Sequence, residues 1–291
     1  MIFELSHRTT YHYSTPVLQS EHRLYMTPRS GRRQTVQRHC LTVEPAPAGN
    51  VTQTDYFGNM SARLSIDEAH RELFVHARST VDVHPPDLPR VAPATVWEQV
   101  ATKARGENGE LDISVLEFVS ASRHTKIGSE AIDYARPSFS PQRPILEAAL
   151  DLTQRIYHDF TFDSAATDIS TPVSRVLRER RGVCQDFAHL AITCLRSLGL
   201  PARYVSGYLL TYPPPGREKL KGADASHAWI SVWAPQIGWV DFDPTNGIMP
   251  ANEHITVAHG RDYDDVSPIS GVLLGGGGQQ MSVAVDVTAV G

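Results

Sequence analysis

Cysteine is scarce in this 291-residue chain: there are three, Cys40, Cys184 and Cys194. An odd, sparse set argues against a disulfide scaffold and fits a reducing compartment. No Cys-x-x-Cys or His-Glu-x-x-His occurs, so the common zinc signatures are missing and no metal is expected. No Gly-Lys-Ser/Thr follows the glycine run 275–278, which excludes a phosphate loop; no nucleotide or other cofactor is expected. No window approaches the roughly 18 apolar residues that span a bilayer. The N-terminal stretch Met1-Ile2-Phe3-Glu4-Leu5-Ser6-His7-Arg8 lacks the apolar run of a signal peptide. The reading is a cytoplasmic protein with no membrane partner. A formal charge of −5 without a long basic run argues against nucleic acid.

What is present is the composition of an ordinary globular chain, long enough for two domains. Residues 1–84 are expected to form a β-rich N-terminal domain of sandwich-like type. Thr9–Tyr13, Gln37–Val43, Ser61–Ile66 and Leu73–Val83 carry strand-forming residues, separated by turn signals such as Phe57-Gly58-Asn59. His84-Pro85-Pro86-Asp87-Leu88-Pro89 reads as a stiff linker. Residues 90–291 are expected to form the second domain, with a core at about 145–250. In it a helix opens near Ile145, with proline at its first turn, and a shorter one is expected over Thr171–Leu177 with Thr171 as its N-cap. A third runs from Cys184 with apolar positions Phe187, Ala191, Cys194, Leu195 and Leu198, ending at Gly199. Strands are expected over Ala202–Leu210, Ala228–Trp233 and Trp239–Phe242, with a terminal one at Met281–Thr288. Tyr212-Pro213-Pro214-Pro215-Gly216 reads as a stiff loop walling a cleft.

Three residues carry chemistry. Cys184 stands in Arg-Gly-Val-Cys-Gln-Asp-Phe at a helix start, where the macrodipole favours a thiolate; Arg178, Arg180 and Arg181 add positive charge nearby. Gly182 allows close backbone approach. Cys194, inside an apolar helix, reads as core, and Cys40 as structural. His227 begins an apolar strand, where its side chain can project into a cleft. Asp241 and Asp243 share a strand face, and the pattern does not choose between them. Asp243 also precedes a proline, so turn formation is its plain alternative. His254 and His259, five apart on a probable strand, face opposite ways and make a poor metal pair. Tyr204 and Tyr208 share a strand face that could line a substrate groove.

The blocks Gly182-Val183-Cys184 with Asp186-Phe187-Ala188, His227-Ala228-Trp229, and Gly238-Trp239-Val240 leading to Asp243-Pro244-Thr245 resemble the transglutaminase-like superfamily. Beyond them the chain is similar to bacterial two-domain members described as cysteine proteases or amidases. The resemblance implies an α+β fold: the β-rich N-terminal domain, then a papain-like core with a Cys-bearing helix packed on an antiparallel sheet. It implies Cys184 as nucleophile, His227 as base and Asp243, rather than Asp241, as orienting acid. Gln185 and the Cys184 backbone N–H are then candidates for the oxyanion, and Tyr208 for the substrate groove. Animal transglutaminases have Trp where this chain has Gln185, and their acidic calcium sites are not located here. The expected function is acyl transfer at a peptide or protein amide through a thioester on Cys184, with hydrolysis ahead of transamidation. A non-catalytic peptide-binding module is the alternative from another class, though binding alone needs no reactive thiol.

Overall fold

The computed structural model describes residues 1–86, 95–106, 112–212, 222 and 224–290. The chain begins with five strands: β1 (Ile2–Leu24), β2 (Gln34–Glu44), β3 (Gly49–Thr54), β4 (Met60–Ile66) and β5 (His70–Val83). Helices α1 (Trp97–Ala104), α2 (Ile113–Leu116), α3 (Ser129–Ala135) and α4 (Ile145–Asp159) follow. Next come β6 (Thr161–Phe162), α5 (Val173–Glu179), β7 (Arg181–Gly182) and α6 (Cys184–Ser197). Strands β8 (Ala202–Leu209), β9 (Ser226–Ala234), β10 (Gly238–Phe242), β11 (His254–Gly260), β12 (Ile269–Gly275) and β13 (Gln279–Ala289) complete it. Most of the stiff loop after Tyr212, and the linker from residue 87 on, lie outside the described residues.

The first sheet is antiparallel and curls around β1. Alternate side chains of β1 (Phe3, Leu5, His7, Thr9) are buried, the period-two pattern of a strand with one face covered. Its first half pairs with β5 on one side and β13 on the other; its second half pairs with β4 and β12. The change of partner falls at an irregularity between His12 and Val17, where a bulge lets a strand bend. Tyr13, Val17, Leu24, Leu64, Ile66 and Leu73 close a core inside the curl. This is the sandwich-like part of the expected α+β fold.

The terminal strand, expected to go with the second half, instead pairs along β1 from Phe3↔Ala289 to Tyr13↔Gln279. β12, which the sequence did not announce, pairs with β1 as well. The glycine run turns between these strands, with Gly275, Gly276 and Gly277 at positive φ, a conformation open to residues without a Cβ. Phe3, Leu5, Val81, Val83, Val285 and Val287 belong to the same core as α6. The start and end of the chain therefore help build the floor on which the second half rests.

The second sheet runs β10-β9-β8-β11, all antiparallel. α6 packs against β8 and β9, with α3, α4 and α5 around it. From Asp186 to Arg196 every residue of α6 is buried, so it is enclosed on all sides rather than amphipathic. Arg196 near its end gives its guanidinium to the carbonyls of Ser120, Ala202 and Arg261 and to the Thr125 hydroxyl. These bonds offset the burial of the charge and tie the helix to the sheet.

Candidate active site

Cys184 is the first residue of α6 and is half-buried. The helix starts there because Asp186, at its third position, accepts the backbone N–H of Val183 at 2.8 Å, and the Thr167 hydroxyl holds the same oxygen at 2.6 Å. This is half of a capping box. A Cβ on Gly182 would meet Asp186 Oδ2 at 2.8 Å and Asp186 Cβ at 2.9 Å. The glycine is thus needed for the cap. Two of the nearby arginines are engaged elsewhere: Arg180 lies over the rings of Tyr134 and Phe160, and Arg181 pairs with Asp163 at 3.4 Å.

His227 is the second residue of β9, and its ring feels the Cys184 thiol, which helps to raise its affinity for a proton. Its Nε2 lies 2.8 Å from Asp243 Oδ2, which leaves Nδ1 as the nitrogen for the thiol. Asp243 follows the end of β10 and is fully buried. Its two oxygens divide the work. Oδ1 accepts the backbone N–H groups of Thr245 (2.9 Å) and Asn246 (3.3 Å), the turn role that a residue before proline suggests. Oδ2 accepts from His227, from Asn246 Nδ2 at 2.7 Å and from His254 Nε2 at 2.9 Å.

The electrostatics follow from this wiring. Burial alone would lower the His227 imidazole, but its bond to Asp243, with the influence of Asp243 and Cys184, outweighs it and holds the ring well above its usual value. Burial alone would raise Asp243, but the bonds from His227 and His254 hold its carboxyl well below the usual range. Asp241 is occupied elsewhere: Arg33 Nη1 reaches it at 3.0 Å, and the Ser231 hydroxyl donates to its other oxygen. The structure brings Cys184, His227 and Asp243 together and leaves Asp241 out.

Gln185 stands beside Cys184 as the second, half-buried residue of α6. Tyr208 turns toward the first sheet. Its ring is buried and its hydroxyl meets His7 Nδ1 of β1 at 2.7 Å, because a buried phenol settles on a partner. Tyr204, two turns of the pleat away, is the tyrosine near the thiol. It packs on His189 at 5.0 Å, and burial followed by the charges of Cys184, Tyr263 and Asp186 raises its phenol. Cys194 is fully buried and burial pushes its thiol up to about 12, as fits a core residue; Cys40 is exposed on β2.

His254 is the residue that sequence reasoning weighed only as a metal ligand. It and His259 do diverge: His259 lies 3.0 Å from Arg203 Nη1. Nothing local marks His254 as part of the site, because β11 reaches Asp243 only through the order of the sheet. Among the described residues, His227, Asp243 and His254 form one of two groups close enough to share a cation; His124, Asp262 and Asp264 form the other. Most of these short contacts are already hydrogen bonds, such as His124 Nε2 to Asp264 Oδ1 at 2.9 Å.

The site gathers a thiol at a helix start, an imidazole and a carboxylate on a helix-over-sheet core. Residues 3–82 match the bacterial transglutaminase-like N-terminal region, and residues 132–244 the transglutaminase-like superfamily. An uncharacterized protein of Mycobacterium bovis is 46% identical over 278 residues, covering 93% of this chain and 87% of the relative. A stretch of 103 residues, 34% of this chain and 15% of the other, is 33% identical to a protein-glutamine gamma-glutamyltransferase of Pseudomonas aeruginosa. Among solved structures, a Cytophaga hutchinsonii protein described as a candidate cysteine protease superposes with a TM-score of 0.76 at 23% identity. That superposition covers 99% of this chain and 90% of the other. The chain belongs to the transglutaminase-like superfamily, with the bacterial N-terminal region in front of the core.

Among the described residues no helix is long and apolar enough to cross a membrane.

Proposed function

We propose that the protein is a cysteine-dependent enzyme that transfers the acyl group of a peptide or protein amide through a thioester on Cys184. The observation that carries this reading is the placement of His227, whose Nε2 lies 2.8 Å from Asp243 Oδ2 while the Cys184 thiol acts on the same ring. The thiol proton passes to His227, and the sulfur attacks the amide carbon. The oxyanion meets the Cys184 backbone N–H, which has no partner inside the helix because it lies in the first turn. Gln185 is the adjacent candidate for a second donor. His227 then protonates the leaving amine, and the thioester remains. Asp243 keeps the ring oriented and balances its charge in both steps.

Hydrolysis, with water as the acyl acceptor, is the first reading. Transamidation is the second, favoured by the partial likeness to the Pseudomonas aeruginosa gamma-glutamyltransferase. A reducing, cytoplasmic setting suits a reactive thiol among cysteines that are all free. The deciding experiment is a screen of peptide amides and glutamine donors with and without a primary amine. Release of free acid in both arms supports hydrolysis; amine-dependent product supports transamidation. Cys184→Ala is expected to lose several orders of magnitude in kcat with the melting temperature kept. Activity within tenfold of wild type would remove Cys184 from the reaction.

A further inference from the structure

Asp243 is the point on which the site converges, and it has one neighbour that the reaction above does not use. His254 opens β11, opposite Leu209 of β8, and is only 5% exposed. Its Nε2 lies 2.9 Å from Asp243 Oδ2, the same oxygen that meets His227 Nε2 at 2.8 Å. An ionised carboxylate only accepts, so both imidazoles donate their Nε2 protons. The His254 ring stands edge-on to Trp229 at 5.2 Å, and Trp229 stacks beside His227 at 6.0 Å. The two imidazoles thus converge on one carboxylate, and the indole packs against both rings. On its far side His254 Nδ1 is buried and meets no hydrogen-bond partner among the described residues. A position chosen for packing alone would be filled at less cost by an apolar ring. The only hydrogen bond that His254 makes with its ring, among the described residues, goes to Asp243.

Resting on the thiol–imidazole reading proposed above, we infer that His254 is a positioning residue: its Nε2–H bond holds Asp243 ionised and turned toward His227. The titratable groups that face Asp243 are His227 from β9 and His254 from β11, with Cys184 of α6 behind His227; Asn246 adds a neutral donor. Burial pushes Asp243 up, and the donors more than offset it. Removing one donor moves its protonation to higher pH, so the acid side of Cys184 reactivity moves up as well.

The test needs no substrate. The rate of iodoacetamide addition to Cys184 is followed by peptide mass spectrometry from pH 4 to 9, with exposed Cys40 as reference, in wild type, His254→Phe and His254→Gln. Folding is checked by melting. His254→Phe is expected to lose about 10–100-fold in rate on the acid side, with its acid limb shifted upward. His254→Gln, which keeps a donor, is expected to recover most of it. In an Asp243→Asn background His254→Phe should add no further loss. A folded His254→Phe with the wild-type profile overturns the inference, as does a folded His254→Gln no better than Phe. If wild-type Cys184 reacts no faster than Cys40 at acidic pH, the thiol–imidazole reading itself fails. A proton NMR arm then judges the His254 bond independently, and it also serves if His254→Phe does not fold. The Nε2–H protons of His227 and His254 should both appear downfield in wild type and both move in Asp243→Asn. A His254 signal that stays in place overturns the inference.

Discussion

Asp243 and Asp241 stand two positions apart, and residue type gives no reason to prefer either. Their partners do. Asp243 is bonded to two imidazoles, and Asp241 to a guanidinium and a hydroxyl. Asp243→Asn keeps the shape but favours the wrong tautomer of His227; that change costs about 10⁴-fold in a serine triad, and a thiol, less dependent on its base, sets this as an upper expectation. Asp241→Asn should cost tenfold or less in rate but lower stability by about 1–3 kcal/mol through its part-buried bonds to Arg33 and Ser231. Rates and urea unfolding of both variants at one pH decide this, and the reverse order of rates would reassign the acid. The same pair sets a pH dependence. His227 is raised, so its contribution to stability is complete below its unfolded value and is lost as pH climbs through the folded one. Asp243 is lowered, so its contribution is complete above the unfolded carboxyl value and is lost as pH falls through the folded one. The stability gap between wild type and Asp243→Asn should be widest at about pH 4–6.5 and shrink above it. Melting temperatures across pH 4–10 check this; a gap that widens with alkalinity would contradict it.

At the scale of elements, the site depends on where α6 starts and how the strand before Asp243 ends. The start is set by Asp186, which caps Val183 and rests against Gly182. Gly182→Ala places a methyl where Asp186 sits, so the cap shifts and Cys184 with it. A loss of about 1–3 kcal/mol in stability is expected, together with slower alkylation of Cys184. Chemical denaturation and the alkylation rate measure both; unchanged values would mean that Asp186 relaxes without moving the helix start. The start of α6, the strands around His227 and the turn after Asp243 were legible in the sequence, because they rest on local signals such as a glycine before the helix and a proline after the acid; Thr171 does not cap α5, whose N-cap is Pro172. Two readings at this scale were not local. Arg180 and Arg181, before Cys184, turn to an aromatic pair and an acid. Tyr208 turns to His7, on a strand some 200 residues earlier.

At the scale of the molecule, the two halves share a core. β1 takes β13 along its first half and β12 along its second, and Val285 and Val287 pack with the core of α6. A fragment of residues 95–291 would leave β12 and β13 without their partner strand and an apolar face of that core bare. It is expected to show no cooperative melt, as is the chain cut after residue 268. Circular dichroism on each checks this; a sharp transition in either would show that the second half stands alone. The sequence boundary near residue 84 marks where strands give way to helices, but no local pattern tells a terminal strand which sheet it will join.

The sequence by itself determined the chemistry on offer and its local frame. It placed a thiol at a helix start, an imidazole at a strand start and a carboxylate before a proline, because caps, periodicity and turns are set by neighbours along the chain. Only the tertiary structure decided which groups meet. Asp243 rather than Asp241 faces His227 because the chain leaves β10 in a turn that carries Oδ2 toward the imidazoles. His254 joins them because β11 lies at the edge of the sheet beside β8. Hydrogen bonds between strands far apart in sequence are fixed by sheet order and burial, and a linear pattern carries neither.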